Sequence, residues 1–198
     1  TITGLDNAVA TSPVTLVDAG DDGELLFSAG STQSRGAFSS GALTLTVHTG
    51  QTVAAGTTYT FSFVVTNPTS AQTAPTVNIE ASGSGTIASS AMAQPGSALY
   101  GVTDGANALL VVVPTFTTKA IGQSTPAAGE SNTITVTLAS DLDLTWTGWW
   151  TDTVVTISGL SNAMATNPVT LGSVTGGNSG EALFSDGTTQ SKGAWSSG

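Results

Sequence analysis

Residues 59–66 read YTFSFVVT. Tyr59, Phe61, Phe63 and Val65 alternate with Thr60, Ser62, Val64 and Thr66. A β-strand turns that period of two into one apolar face and one outward face. The alternation continues on either side. Leu43, Leu45 and Val47 interleave with Thr44, Thr46 and His48, and Val77 and Ile79 flank Asn78. Ile134, Val136 and Leu138 interleave with Thr133, Thr135 and Thr137, and Val155 and Ile157 with Thr156 and Ser158. No window carries the 3.6-residue period of an amphipathic helix, and 24 glycines with few Lys, Arg and Glu disfavour helices further. Turn signals such as Asn67-Pro68, Pro95-Gly96, Asp104-Gly105 and Asp186-Gly187 separate the runs. Short strands at this spacing predict an all-β chain of antiparallel β-sandwich modules, Ig-like or jelly-roll, set in tandem.

The tandem arrangement is read from an internal repeat. Residues 1–16, TITGLDNAVATSPVTL, return at 156–171 as TISGLSNAMATNPVTL, with 12 of 16 positions identical. Residues 24–41, ELLFSAGSTQSRGAFSSG, return at 181–198 as EALFSDGTTQSKGAWSSG, with 13 of 18 identical. The offset grows from 155 to 157, so the loop between the two blocks gains two residues in the second copy. A chain that closes on the motif it opened with is expected to be a window on a longer array. Arrays of large modules serve reach, multivalency or filament formation more often than catalysis.

Composition narrows the function. Arg35, Lys119 and Lys192 are the only Lys or Arg, against 13 acids, for a net charge of −10. Such a surface repels phosphate backbones and anionic lipid headgroups, which argues against nucleic-acid and membrane-surface partners. No apolar run approaches the length of a membrane span, so no membrane insertion is expected. Charged residues are 8% of the chain, where about a quarter is usual. Solubility therefore rests on 35 threonines and 24 serines, a composition that suits an extracellular protein and offers many O-glycan acceptors. The absence of cysteine excludes disulfides, thiolate catalysis and zinc–thiolate sites. Asn67-Pro68-Thr69 is not a usable N-glycosylation sequon, because proline occupies its middle position.

Several longer phrases add a resemblance. NTITVTLASDLDL (132–144), TVVTISGL (153–160), VVVPTFTTKAIGQSTP (111–126) and the stretch 41–83 look like a repeat of very large extracellular fibril and filament proteins of microalgae and related protists. The resemblance implies Ig-like β-sandwich repeats, often glycosylated, that self-associate with identical repeats. It also implies a circularly shifted module: residues 1–83 are most of one sandwich, 84–130 a connector with a strand at 109–113, and 131–198 the start of the next. In the alternative phase, 42–198 is one complete repeat and 1–41 the end of the preceding one.

Five sets of residues are weighed as sites. Trp146, Trp149 and Trp150 crowd around Gly148. They suit a core cap, an assembly or attached-glycan contact, or a platform for free sugar. Pro114, Thr115, Thr117, Thr118, Thr125 and Pro126 are the region for O-glycans or modified proline, or else a bare linker. Asp18, Asp21, Asp22 and Glu24 are a weak calcium candidate. Their spacing departs from the EF-hand loop, and the second copy keeps only Glu181 of these acids. His48 is the single histidine and reads as a surface residue, and Asp141 and Asp143 read as acids guarding an exposed edge. No catalytic residues, cofactor or metal are therefore expected. The chain reads as a structural, non-enzymatic filament subunit, with a tandem carbohydrate-binding or adhesion module as the alternative.

Overall fold

A computed structural model describes residues 1–145 and 153–196. The chain divides into two compact units, Thr1–Leu144 and Thr145–Gly198. Among the described residues the regular elements are β-strands and two single turns of 3-10 helix, Gly23–Leu26 and Gly180–Leu183. The strands are paired antiparallel in several small sheets, so the chain is all-β.

The first unit contains β1 (Ile2–Thr3), β2 (Val14–Thr15), β3 (Val17–Asp18), β4 (Phe27–Ala29), β5 (Thr32–Gln33), β6 (Arg35–Ser39), β7 (Ala42–Thr44) and β8 (Thr46–Val47). After these come β9 (Phe61–Ser62), β10 (Asn78–Ala81), β11 (Ile87–Ala91), β12 (Phe116–Gln123) and β13 (Ile134–Ser140). The largest sheet has the order β11-β10-β1-β7-β6-β2. Its register aligns apolar residues across strands: Ile2 lies opposite Ile79 on one side and Leu43 on the other, and Leu43 in turn lies opposite Phe38.

The core gathers there. Ile2, Leu5, Ala8, Val14, Leu16, Phe38, Leu43 and Val77 are buried, with Phe27, Leu45, Phe61, Phe63, Val65 and Leu109 packed against them. Leu43 is 0% exposed. Gly36 makes room for it: a Cβ at Gly36 would stand 2.6 Å from Leu43 Cδ1 and 2.9 Å from Leu45 Cδ2. The chain changes sheets at Leu45. β7 belongs to the six-stranded sheet, whereas β8 joins β4 and β5 in a three-stranded one.

The decisive octapeptide keeps its period and loses most of its ladder. Tyr59, Phe61, Phe63 and Val65 are half-buried, and the residues between them are exposed, Val64 to 81%. Only Phe61–Ser62 pairs as a strand, against the two residues of β3, with one further bridge from Thr66 to Val9. The partner strand is too short to extend the ladder.

Residues 109–113 do not form the expected strand. Val111 makes one isolated bridge to Gln72. Leu109 has φ 58, a left-handed conformation that interrupts an extended run. Residues 84–130 lie inside the first unit, where they supply β11 and β12. β12 pairs with β13 along its length, with Ile121 opposite Val136. The apolar alternation of β13 is left uncovered, since Ile134 is 42% and Val136 39% exposed.

In the second unit, β14 (Val169–Thr170) pairs with β15 (Lys192–Gly193). Val169 lies opposite Gly193 and Thr170 opposite Lys192, as Val14 lies opposite Gly36 and Thr15 opposite Arg35. The hydrogen bonds repeat as well. Leu171 donates to Ser191 O and Leu16 to Ser34 O, each at 2.9 Å, and Ser191 donates to Phe184 O as Ser34 does to Phe27 O. Gln190 and Gln33 each send Nε2 to a backbone carbonyl at 2.6 Å, that of Ala182 or Leu25. Ser12–Pro13 and Asn167–Pro168 are both cis.

Leu43→Ala should cost about 3 kcal/mol in urea unfolding, the usual penalty for emptying a close-packed leucine site. Val64→Thr, on the outward face of residues 59–66, should stay within about 0.5 kcal/mol of the parent. Equal effects would contradict the placement of the core.

Candidate functional site

The described acids mostly organise backbone, each tying down a turn that has no ladder of its own. After β3, Asp18 Oδ1 accepts the N–H groups of Gly20, Asp21 and Asp22 at 2.7, 3.2 and 3.3 Å. The bond from Gly20 contributes most to holding this carboxyl below the usual aspartate range. Asp21 reaches across to β9 and accepts the Thr60 N–H on both oxygens at 2.9 Å. It also accepts from Gly23, which must be glycine because a Cβ there would lie 2.5 Å from Thr60 O.

Of the four residues in the calcium candidate, the structure gathers three. Asp18, Asp22 and Glu24 each bring a carboxylate oxygen to within 4.8 Å of the others. Glu24 is 9% exposed, and its Oε2 is enclosed without a hydrogen-bond partner. Asp21 stands apart from the group, its carboxylate occupied by backbone N–H donors. Three protein carboxylates are about half of the oxygens a calcium ion gathers.

A second anchor joins β12 and β13 at their base. Asp141 accepts the Thr115 N–H at 2.8 Å and the Thr115 hydroxyl at 2.7 Å, and Asp141 N–H returns a bond to Thr115 O at 3.2 Å. The Thr115 N–H, followed by its hydroxyl, holds the Asp141 carboxyl below the ordinary aspartate value. β13 ends at Ser140, so Asp141 and Asp143 lie beyond the strand and do not share one of its faces. In the second unit Asp186 closes a turn with Thr188 and Thr189, and the Thr189 N–H is the main cause of its lowered pKa.

The proposed glycan region is therefore partly built into the hairpin. Pro114, Thr117, Thr118 and Pro126 are exposed, and Thr125 is half-buried. The Thr115 hydroxyl is engaged by Asp141, that of Thr117 donates to Ala139 O at 3.3 Å, and Thr125 Oγ1 accepts the Ala127 N–H at 3.1 Å. Thr118 is exposed and makes no side-chain hydrogen bond among the described residues. Trp146, Trp149 and Trp150 lie outside the described residues. His48 is half-buried beside a turn, its N–H donating to Leu26 O and its carbonyl accepting from Gln51.

One pair of contacts was not anticipated. Ser12 Oγ accepts the Phe38 N–H at 3.0 Å, and Asn167 Oδ1 accepts the Trp195 N–H at 2.9 Å. The signal was in the repeat: where the copies differ just before the proline, both residues carry an oxygen on a short side chain. Beside this second contact is an open hollow of about 470 Å³, lined by Ala163, Met164, Ala165, Trp195 and Ser196. Comparison with protein-family models, curated proteins and solved structures returns no match.

Asp18, Asp141 and Asp186 release their protons at lower pH in the folded state than in the unfolded chain. Their stabilisation is whole above the unfolded-state value and is lost as pH falls through the folded one. The urea midpoint should hold steady near neutrality and drop below about pH 4. Asp141→Asn keeps an acceptor for Thr115 but cannot titrate, so its acid slope should be shallower. An unchanged slope would remove Asp141 from the account.

Proposed function

We propose that this chain is a structural subunit of an extracellular, glycosylated filament built from tandem β-sandwich repeats. The observation that carries the reading is the internal repeat. Two stretches more than 150 residues apart share sequence, strand register and side-chain hydrogen bonds. Repetition of that fidelity suits a protein whose role is to present the same contact surface again and again. A heterologous contact that does not close on itself extends into a fibre.

The surface chemistry supports the same role. With 59 serine and threonine side chains and few cations, the exterior is hydrated with little lysine for proteases to recognise. The described acids pin turns and hairpin ends. In this reading Trp146, Trp149 and Trp150 are contacts to a neighbouring repeat or to attached glycan, and Thr118 is a preferred sugar acceptor.

Chains carrying several repeats should assemble into regular fibres under the electron microscope, with an axial period set by module length. Trp149→Ala combined with Trp150→Ala should prevent fibres while leaving the urea transition of Thr1–Leu144 unchanged. Dispersed, flexible monomers at high concentration would overturn the filament reading. Loss of retention on immobilised sugar, with assembly intact, would favour the tandem carbohydrate-binding alternative. Mass spectrometry of material from the native source should find hexose-bearing peptides that include Thr118.

A further inference from the structure

The loop that leaves β3 sets three carboxylates around one point. Asp18, Asp22 and Glu24 each bring an oxygen to within 4.8 Å of the other two. That is the span two ligands can have across one ion held at roughly 2.4 Å from each. Asp18 commits Oδ1 to the N–H groups of Gly20, Asp21 and Asp22. Asp22 stands at the head of the 3-10 turn Gly23–Leu26 and makes no side-chain capping bond there. The loop is fastened from the other side. Asp21 accepts the Thr60 N–H of the neighbouring segment, and Gly23 lies close against the Thr60 carbonyl.

Glu24 is the residue that points to an ion. It is 9% exposed, and its Oε2 is enclosed without a hydrogen-bond partner. A buried carboxylate left to itself is costly, so such a group is paired, hydrogen-bonded or bound to a metal. The chain has three Lys and Arg in all, and the two lysines are engaged elsewhere. Lys119 donates to Phe116 O and Lys192 to the Thr170 hydroxyl. What converges on Glu24 is further negative charge, from Asp18 and Asp22. Three carboxylates this close repel one another, and a cation among them turns that repulsion into attraction. The spacing of the acids along the chain argued against an ion, and the burial of Glu24 argues for one.

We propose that Asp18, Asp22 and Glu24 bind one calcium ion. Only oxygens converge, which selects a hard cation, and three carboxylates exceed the one or two with which magnesium is usually held. The ion joins the end of β3 to the turn Gly23–Leu26, whose Leu26 is buried, and so stiffens the chain where it enters the core. The second copy of the pattern keeps a single acid between Leu171 and Leu183, Glu181, so the whole chain binds one ion and not two. The inference does not depend on filament formation.

Calorimetric titration of the full chain with calcium at physiological ionic strength tests it. One ion per chain should bind with a Kd at or below about 1 mM, the range of extracellular calcium modules. Asp22→Asn should weaken binding at least about tenfold, because affinity follows the number of ligand charges. Asparagine tolerates the left-handed backbone at this position, φ 54, so that variant keeps the fold even if Glu24→Gln does not. Glu130→Gln removes an equal charge from an exposed site between β12 and β13 and should leave the affinity within about twofold. Manganese, a paramagnetic ion that also prefers carboxylates, should broaden the amide signals of Gly20, Gly23 and Leu25 and leave those of Gly177 and Ala182 sharp. The proposal is overturned if no saturable binding appears up to about 10 mM calcium, above the weakest of such modules. It is overturned equally if Glu130→Gln weakens binding as much as Asp22→Asn, which would mean diffuse attraction to a net charge of −10, or if manganese broadens both loops alike.

Discussion

The contact on which the first unit depends is Leu43 pressed into the space that Gly36 leaves empty. A leucine that no water reaches makes dispersion contacts on every side, and an interior packed to that density does not yield to an added methyl group. A Cβ at Gly36 would overlap Leu43 and Leu45 together. The pairing of β7 with β1 and β6 brings Ile2 and Phe38 alongside Leu43, and the corner at Leu45 then carries the chain into the second sheet. The fold is thus a reciprocal arrangement in which the pattern 1–41 supplies the receptacle and the segment 42–81 fills it.

That division explains why one sequence pattern appears twice in such different surroundings. Local interactions suffice to reproduce the β14–β15 register, the Gln190 bond and the Asn167 bond to Trp195. They bury none of the described residues of the second unit. Apolar side chains of the second copy and of β12–β13 stay exposed, Leu183 to 78% and Ile121 to 57%.

The scarcity of charge is met with a distinct economy of hydrogen bonding. Salt bridges are dispensable when each carboxylate is aimed at backbone N–H groups that short, irregular strands leave unpaired. Asp18, Asp21, Asp141 and Asp186 all do this; the Thr115 hydroxyl takes the second oxygen of Asp141, and the Thr188 hydroxyl adds to the Asp186 oxygen that its own N–H reaches. Many short strands and long connections become tolerable because side chains complete what the ladders do not.

The all-β class, the apolar positions of 43–47 and 59–66, and the pairing of two distant repeats were legible in the sequence. Those features follow from side-chain period and identity, which act over a few residues. The Ser12 and Asn167 contacts were half legible, as a substitution that preserves an oxygen. Tertiary structure alone decided the rest. Leu109 turns left-handed and removes the strand expected at 109–113; β12 pairs with β13; three of the four candidate calcium ligands converge while Asp21 turns to Thr60. The physical reason is common to all of them. A residue's own sequence neighbourhood determines whether it can be buried, but a segment far along the chain determines whether it is. Ile2 and Ile157 sit in nearly identical sequence, and only Ile2 has Leu43 to cover it.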